Sequence, residues 1–305
     1  MLIAQRSGFV CPELTARRQV LGDRLTIAEV GSGHIPLRDA YADQFSEGRC
    51  HAEIAARMAE GDSTATTSSA DGGLMGRYVI TGATGGIGGA VAELLHEQGH
   101  QLVLVGSHRG RLDAAAGRLG GCETLVLDLL DVEGIAAHGS ALASRDSPID
   151  GLVHSAGLAQ LGSIADSETN SWMEQYKVNV AGPAELTRCL LPALRTARGQ
   201  VVFVNSGQGL RTSPGWGAYS ASKHAARALA QALRAEEGPH GVRVTSVYPG
   251  RTATEMQRAI HRQEGAEYVA QAYIQPRSVA RTVLAALMSP PDMEITDVSV
   301  AVPGS

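Results

Sequence analysis

The sequence predicts an α/β fold: a doubly wound parallel sheet of seven strands with helices on both faces, preceded by an N-terminal extension of unknown structure. Three observations predict it. From residue 77 onward, short apolar segments alternate with amphipathic stretches, which is typical of a parallel sheet with crossover helices. A glycine-rich turn joins the first apolar segment to the first amphipathic stretch. Before residue 77 the composition changes and the alternation is absent.

Seven apolar segments are predicted as strands, and amphipathic helical stretches fill most of the gaps between them. The predicted strands are 77–81, 101–105, 123–127, 150–154, 200–205, 242–247 and 295–301. Parallel neighbours need crossover connections, so the helices are expected to cover both faces of the sheet.

The N-terminal quarter of the chain is set apart by its composition. Residues 61–76, GDSTATTSSADGGLMG, are small and polar, as in a flexible linker. We therefore divide the chain into an extension (1–60) of unpredicted fold, a linker (61–76) and a dinucleotide-binding domain (77–305). Met75 directly precedes the first strand. Residues 1–74 are interpreted as a poorly ordered extension or an upstream misread start, with a small accessory domain as the alternative.

Charge and cysteine content argue against several classes of function. The 305 residues carry a net charge of −5, so no basic footprint for nucleic acid is present. No apolar run approaches the ~18 residues of a membrane span. The four cysteines, at 11, 50, 122 and 189, have no metal-site spacing. We expect no nucleic-acid partner, no membrane association, no metal and a cytoplasmic location.

The stretch RYVITGATGGIGGAVAELLHEQGH is predicted as a strand, a glycine turn and a helix. Gly82, Gly86 and Gly88 fall at the bend, where a side chain would block the approach of a phosphate to the backbone. The following helix directs its free N–H groups and positive dipole end to the same place. The stretch therefore predicts a nucleotide site at the end of the first strand, with a merely tight turn as the alternative.

The segment after the second strand bears on the choice of nucleotide. It reads GSHRGR and has no carboxylate to bind a ribose 2′-hydroxyl, whereas Arg109 and Arg111 favour a 2′-phosphate and hence NADP. The alternative is that both arginines begin the next helix in solvent. Asp128, at the end of the third strand, is placed to meet the adenine edge, or else caps a helix.

Tyr219 and Lys223 lie in the stretch GAYSASKHAARALAQALRAEE, and Lys223 is one of only two lysines in the chain. Residues four apart share a helix face, so both side chains can enter one site. A neighbouring ammonium favours the phenolate and is expected to lower the pKa of the phenol.

Two further polar residues are candidates for the same site. Ser206 ends the fifth strand, thirteen residues before Tyr219, and its hydroxyl could hydrogen-bond a substrate carbonyl. The alternative is a turn or helix-start residue. Asn179 precedes that strand in a helical region and could hold a proton-relay water, or could simply be a core amide.

Together these motifs resemble the short-chain dehydrogenase/reductase family in its short single-domain form, over about three quarters of the chain. The glycine motif matches TGATGGIG, the acidic residue after the third strand matches Asp128, and the proline–glycine turn after the sixth strand matches YPGRTAT. The family's tetrad matches Asn179, Ser206, Tyr219 and Lys223. Two departures stand out: HSAG replaces N-N-A-G, with Ser155 in place of an Asn, and Ser107 stands where an Arg is frequent.

The resemblance implies a Rossmann-type enzyme that transfers hydride between a nicotinamide and a carbonyl or alcohol carbon, with NADP(H) favoured and NAD(H) possible. Tyr219 would be the acid/base, Lys223 would lower its pKa and hold the ribose, Ser206 would orient the substrate oxygen, and Asn179 would support the relay water. The implied cofactor-binding residues are Gly82, Thr84, Gly86, Ile87, Gly88, Ser107, Arg109, Asp128, Ala156, Gly157, Tyr219, Lys223, Pro249, Gly250 and Thr254. The alternative is a non-catalytic dinucleotide-binding redox sensor or scaffold.

The substrate region and assembly are predicted in outline. The run after Pro249 is expected to form a mobile helical lid over a small carbonyl or alcohol substrate. Candidate pocket-lining residues are Leu158, Gln208, Leu210, Trp216 and Tyr248. Small residues recur at 225, 228, 232 and 235. This alanine stripe favours close helix packing in a homodimer or homotetramer, the alternative being packing within the domain.

Overall fold

The computed structural model describes residues 75–143 and 147–303. The extension (1–60) and nearly all of the linker (61–76) lie outside the described residues, so the division of the chain stays a prediction. The described residues form a seven-stranded sheet in which every neighbouring pair is parallel. The strands are β1 (Arg77–Thr81), β2 (Gln101–Gly106), β3 (Glu123–Val126), β4 (Gly151–His154), β5 (Gln200–Val204), β6 (Arg243–Pro249) and β7 (Asp297–Val300).

Eight α-helices in the described ranges cover the sheet, which confirms the predicted fold class. They are α1 (Gly86–Glu97), α2 (Arg109–Arg118), α3 (Val132–Ala143), α4 (Thr169–Tyr176), α5 (Gly182–Ala197), α6 (Gly217–Glu237), α7 (Glu255–Glu264) and α8 (Pro276–Leu287). A π-helical turn, Lys177–Ala181, joins α4 to α5. None of the helices that the structure describes is long and apolar enough to cross a membrane.

The alternation of side chains along each strand builds two apolar cores. In β1, Ile80 belongs to a core formed with α1, α2 and α8, whereas Val79 belongs to a second core formed with α3, α5 and α6. Both residues are fully buried. Burial of each such side chain stabilises the folded state by roughly 1.5–3 kcal/mol. The central strands are thus packed against helices on both faces, which is why their sequences are almost continuously apolar.

The strand order creates the place for a ligand. The order β3-β2-β1-β4-β5-β6-β7 sets β1 beside β4, and the chain leaves these two strands in opposite directions. The connections after them therefore diverge and leave a crevice at the carboxyl edge of the sheet, where open α/β folds bind their ligands.

The alanine stripe lies on the outer face of α6. Ala228, Ala232 and Ala235 are exposed, whereas Tyr219 and Lys223 on the same helix are buried. These three alanines therefore do not pack within the domain, which was the alternative to helix packing between subunits.

The close approach of β1 and β4 can be tested with two glycine variants. Gly82 has φ +67°, and a Cβ there would lie 2.8 Å from the Ala156 nitrogen. Gly99 has φ +81°, and its Cβ would meet nothing within 4 Å. We expect Gly99→Ala to cost about 1–2 kcal/mol for its left-handed backbone. Gly82→Ala should cost a further ~1–3 kcal/mol of overpacking. Chemical denaturation measures both, and equal losses would contradict the proposed contact.

Candidate active site

The carboxyl ends of β1, β4, β5 and β6 open into one cavity of about 790 Å³, a size typical of ligand sites. Each strand delivers residues to it through the segment that follows. Those segments comprise Gly82 and 84–87 after β1, 155–157 after β4, 204–208 at the end of β5, and 249–252 at the end of β6; residues 254–257 and 260 reach it from α7 and its N-cap.

The glycine turn leaves room for a phosphate group. Gly82 and Gly86 adopt positive φ values of 67° and 57°, which glycine adopts readily. A Cβ on Gly88 would lie 2.5 Å from the Gly82 carbonyl oxygen, whereas a Cβ on Gly85 would meet nothing within 4 Å. Helix α1 begins here without an acidic residue in its first turn. This turn fits the anionic pyrophosphate of a dinucleotide.

The hydroxyl of Thr81 joins the ends of β1 and β4. Its oxygen accepts hydrogen bonds from the backbone nitrogens of Ser155 (3.1 Å) and Ala156 (3.2 Å), and it donates to the Val153 carbonyl (3.4 Å). Ser155, which stands where the resembled family has Asn, thus contributes its backbone to this contact. Ala156 and Gly157 then line the cavity.

Tyr219 and Lys223 are brought together as the sequence predicts. Both line the cavity, both are only 6% exposed, and the Lys223 Nζ lies 5.8 Å from the centre of the Tyr219 ring. Lys223 Nζ also donates to the Val204 carbonyl at 3.2 Å. The two side chains can therefore act on one ligand.

Burial decides the pKa values of this pair. It raises the pKa of Tyr219 to about 12, although a hydrogen bond with Ser206 acts in the opposite direction. It also lowers the pKa of Lys223 to about 8. The expectation that the ammonium lowers the phenol pKa is wrong for this structure, because desolvation of the phenolate dominates. At neutral pH the phenol keeps its proton.

Ser206 lines the cavity and also caps a turn, as the alternative interpretation predicts, whereas its hydrogen bond to a substrate carbonyl stays a prediction. It follows β5, lines the cavity and hydrogen-bonds Tyr219. Its Oγ also accepts from the Gln208 nitrogen at 3.1 Å, which caps the short 3₁₀ helix Gly207–Gly209. The cap fixes the hydroxyl beside the phenol.

Asn179 lies in the π-helical turn, and its side chain does not line the cavity. Its Nδ2 donates to the Leu158 carbonyl and to Ser222 Oγ, both at 2.9 Å, and its Oδ1 accepts from the Leu158 nitrogen at 2.9 Å. Ser222 Oγ in turn donates to the Tyr219 carbonyl at 2.7 Å. Asn179 therefore ties the loop after β4 to helix α6, and its predicted relay water stays a prediction.

The residues predicted to bind the adenine end of the cofactor do not all line the same cavity. Arg109 and Asp128 line a second cavity of about 390 Å³, whereas Arg111 lines the main cavity. Ser107 is exposed and lines neither. Asp128 Oδ1 also accepts from the Leu130 nitrogen at 3.0 Å, as a turn-capping residue would.

Comparison with known proteins identifies the family. A family model described as short chain dehydrogenase matches residues 77–265. Dehydrogenase/reductase SDR family member 7B of Bos taurus is 36% identical over 225 residues, covering 68% of this chain and 69% of the bovine protein. The chain belongs to the short-chain dehydrogenase/reductase family. It is accordingly an NAD(P)-dependent oxidoreductase.

Solved structures of short-chain dehydrogenases agree with this assignment. A putative short chain dehydrogenase from Escherichia coli CFT073, complexed with NADPH, is 26% identical with a TM-score of 0.69, covering 74% of this chain and 97% of that one. The alcohol dehydrogenase from the archaeon Thermococcus sibiricus, complexed with 5-hydroxy-NADP, is 25% identical with a TM-score of 0.67, covering 74% of this chain and 96% of that one.

The substrate side of this short-chain dehydrogenase differs from the sequence prediction. Gln208 and Trp216 line the cavity as proposed, whereas Leu158, Leu210 and Tyr248 do not. Tyr248 is buried beside β7, where its hydroxyl hydrogen-bonds Asp297 at 2.7 Å. An aromatic residue within an apolar strand usually packs in the core, so the sequence itself could have predicted that Tyr248 does not line the cavity.

Sequence reasoning missed several residues at the cavity of this family member. Asn205 donates to the Lys223 carbonyl at 3.1 Å, and its Oδ1 has no hydrogen-bond partner among the described residues. Arg211 also lines the cavity and was missed, whereas Arg251, Met256, Gln257 and Ile260 lie in the run after Pro249 that the sequence predicts as a lid. Part of the predicted lid, α7, lines the cavity, and Thr254 caps it through the Gln257 nitrogen at 3.2 Å. Mobility of the lid stays a prediction.

The buried ammonium of Lys223 predicts a pH-dependent cost in stability. Its pKa lies below the ordinary 10.5, so the unfolded chain binds more protons between about pH 8 and pH 10.5. The contribution of Lys223 to the free energy of unfolding should therefore rise with pH across that window. Lys223→Met should be more stable by about 2 kcal/mol below pH 8, after loss of one hydrogen bond. The difference should shrink as pH approaches 10.5.

Lys177→Met is the matched control, since Lys177 is the other lysine and lies exposed on the surface. Urea denaturation at several pH values measures all three proteins. A Lys223→Met protein that is no more stable than wild type at pH 7 would contradict the desolvation argument.

Proposed function

We propose that this chain is an NADP(H)-dependent oxidoreductase that reduces a carbonyl to an alcohol, or catalyses the reverse, with Tyr219 as the acid/base. The observation that supports this most is the placement of the Tyr219 phenol. It is buried in the cavity, hydrogen-bonded to Ser206 and adjacent to Lys223, at the sheet edge that also carries the glycine turn.

Each of the three side chains has a separate role in the proposed reaction. The bound nicotinamide dinucleotide supplies or accepts the hydride. The Tyr219 phenol keeps its proton at neutral pH, so it donates that proton to the substrate oxygen during reduction and takes it back during oxidation. Ser206 orients the same oxygen through its hydroxyl. Lys223, largely protonated below its pKa of about 8, stabilises the phenolate that is left behind.

The charges near the glycine turn support NADP(H) over NAD(H). Arg111 lines the cavity together with Thr84 and Gly85, and no Asp or Glu follows β2 in the segment 107–111. A 2′-phosphate requires such a cation, whereas a 2′-hydroxyl is usually met by a carboxylate. Two of the solved relatives carry NADP-type ligands. We place Asp128 at the adenine edge and Arg111 with Arg109 near the 2′-phosphate.

We further propose association into a homodimer or homotetramer through the outer face of α6. Ala228, Ala232 and Ala235 are exposed there, and Met173 and Tyr176 on α4 expose about half of their surface, at 50% and 47%. Small residues allow a second helix to approach closely. Sedimentation at micromolar concentration should show a dimer or tetramer that Ala228→Arg weakens, and a wild-type monomer would contradict this.

Replacement of Tyr219 tests the proposed chemistry. Tyr219→Phe should reduce turnover of a carbonyl substrate by several orders of magnitude, because the proton donor is removed. The affinity for NADPH should change little. Tyr176→Phe, on the exposed surface of α4, is the matched control. Initial rates of NADPH oxidation and fluorescence titration of NADPH give the two quantities.

Two outcomes would count against the enzyme proposed here. Near-normal turnover in Tyr219→Phe would remove the phenol from the reaction. Tight NADPH binding by the wild type without turnover of any member of a broad carbonyl and alcohol panel would instead favour the redox sensor or scaffold.

Replacement of Arg111 tests the cofactor preference. Arg111→Gln should lower the ratio of kcat/KM for NADPH to kcat/KM for NADH by about 10–100-fold, as expected for one charge-assisted hydrogen bond. Arg118→Gln, on the exposed end of the same helix, is the control. If Arg109→Gln changes the ratio and Arg111→Gln does not, the 2′-phosphate lies on the other side of α2.

A further inference from the structure

The reacting end of the cavity contains an arginine that the proposed chemistry does not use. Arg211 follows the short 3₁₀ helix after β5, and it lines the cavity. Its Nη2 lies 3.9 Å from the position that a Cβ on Gly207 would occupy. The guanidinium therefore lies over the residue next to Ser206, close to the group that we propose orients the substrate oxygen.

The other cationic side chains that line the cavity either have a hydrogen-bond or ion-pair partner or lie near the glycine turn. Arg251 forms a bidentate ion pair with Glu264, with N–O distances of 2.8 and 2.5 Å. Lys223 donates to the Val204 carbonyl, and Arg111 is grouped with the glycine turn. No hydrogen bond or ion pair joins the Arg211 side chain to any residue in 75–143 or 147–303.

The cavity offers Arg211 no internal counter-ion. Glu255 is the one carboxylate among the described lining residues, and it pairs with Arg258 at 3.3 Å and with Arg262 at 3.6 Å. A guanidinium at the edge of a cavity keeps its charge at all relevant pH values and presents a planar fork that matches a carboxylate. The cation is therefore available to a ligand.

Apolar side chains form part of the wall of this region, beside the polar Gln208 and Gln257 and the ion-paired Arg251. The Trp216 ring lies edge-on to Tyr219 with centroids 5.7 Å apart, and Met256 and Ile260 line the cavity from α7. A complementary substrate would have an apolar body against this wall, its carbonyl oxygen at Ser206 and Tyr219, and a negative group at Arg211.

We propose that Arg211 is a specificity residue that selects carbonyl substrates bearing a carboxylate. This inference rests on the proposed function, because it concerns the substrate of the same site. A carboxylate that replaces water around a guanidinium gains charge-assisted, bidentate hydrogen bonds. The neutral ester of the same compound cannot form the ion pair.

The test uses the full chain and a matched pair of aldehydes, 4-formylbenzoate and its methyl ester, with NADPH as reductant. The measured quantity is the ratio of kcat/KM for the acid to kcat/KM for the ester. We expect Arg211→Gln to lower this ratio by about 10–100-fold. Arg211→Lys should give an intermediate ratio, and Arg118→Gln, outside the cavity, should give the wild-type ratio. An unchanged ratio in Arg211→Gln would overturn the inference.

A binding measurement separates this inference from the proposed function. Calorimetric titration with benzoate, in the presence of NADP⁺, should show binding to the wild type that is weakened in Arg211→Gln. If neither aldehyde is reduced but benzoate binds through Arg211, the proposed reaction fails and the carboxylate site stands. No benzoate binding to the wild type, or an effect of Arg211→Gln on the KM for NADPH alone, overturns the carboxylate site.

Discussion

The contact between the ends of β1 and β4 is the constraint on which the cavity depends. The Thr81 hydroxyl accepts hydrogen bonds from the backbone nitrogens of residues 155 and 156, in the loop after β4. Gly82 lies too close to that loop for any side chain. Because these strands are adjacent and their connections diverge, the contact sets the floor of the crevice. The glycine turn, the residues after β4 and the start of α1 are all positioned from this point.

Helix α6 carries the proposed acid/base residue and its neighbouring ammonium at a cost in stability. A phenol and an ammonium four residues apart are both buried, and each has its pKa moved towards the neutral form. The hydrogen bonds from Lys223 to Val204 and from Asn205 to the Lys223 carbonyl hold the helix against β5. The hydrogen bond from Asn179 to Ser222 ties the same helix to the π-helical turn. Much of the polar network around α6 thus holds the Tyr219 and Lys223 side chains in place.

The sequence predicts the features that depend on local pattern. All seven strands follow from apolar segments and lie within a few residues of their predicted bounds, and the glycine turn follows from its spacing. Features set by tertiary contacts were not predictable. Whether Arg109 or Arg111 faces the main cavity depends on the rotation of α2. The raised pKa of Tyr219 depends on burial, and the π-helical turn at Asn179 depends on packing between α4 and α5.

The scarcity of lysine gives the site an intrinsic chemical reporter. The two side-chain amines of the whole sequence differ completely in accessibility, since Lys177 is exposed and Lys223 is buried beside the phenol. An acylating reagent would modify the first amine at once and the second only when the cavity admits it. Because the pKa of Lys223 is lowered to about 8, a larger fraction of this amine is in the reactive free-base form near neutral pH than for a lysine with the ordinary pKa. The rate of the slower modification therefore measures how readily a reagent enters the cavity and how well a bound ligand excludes it.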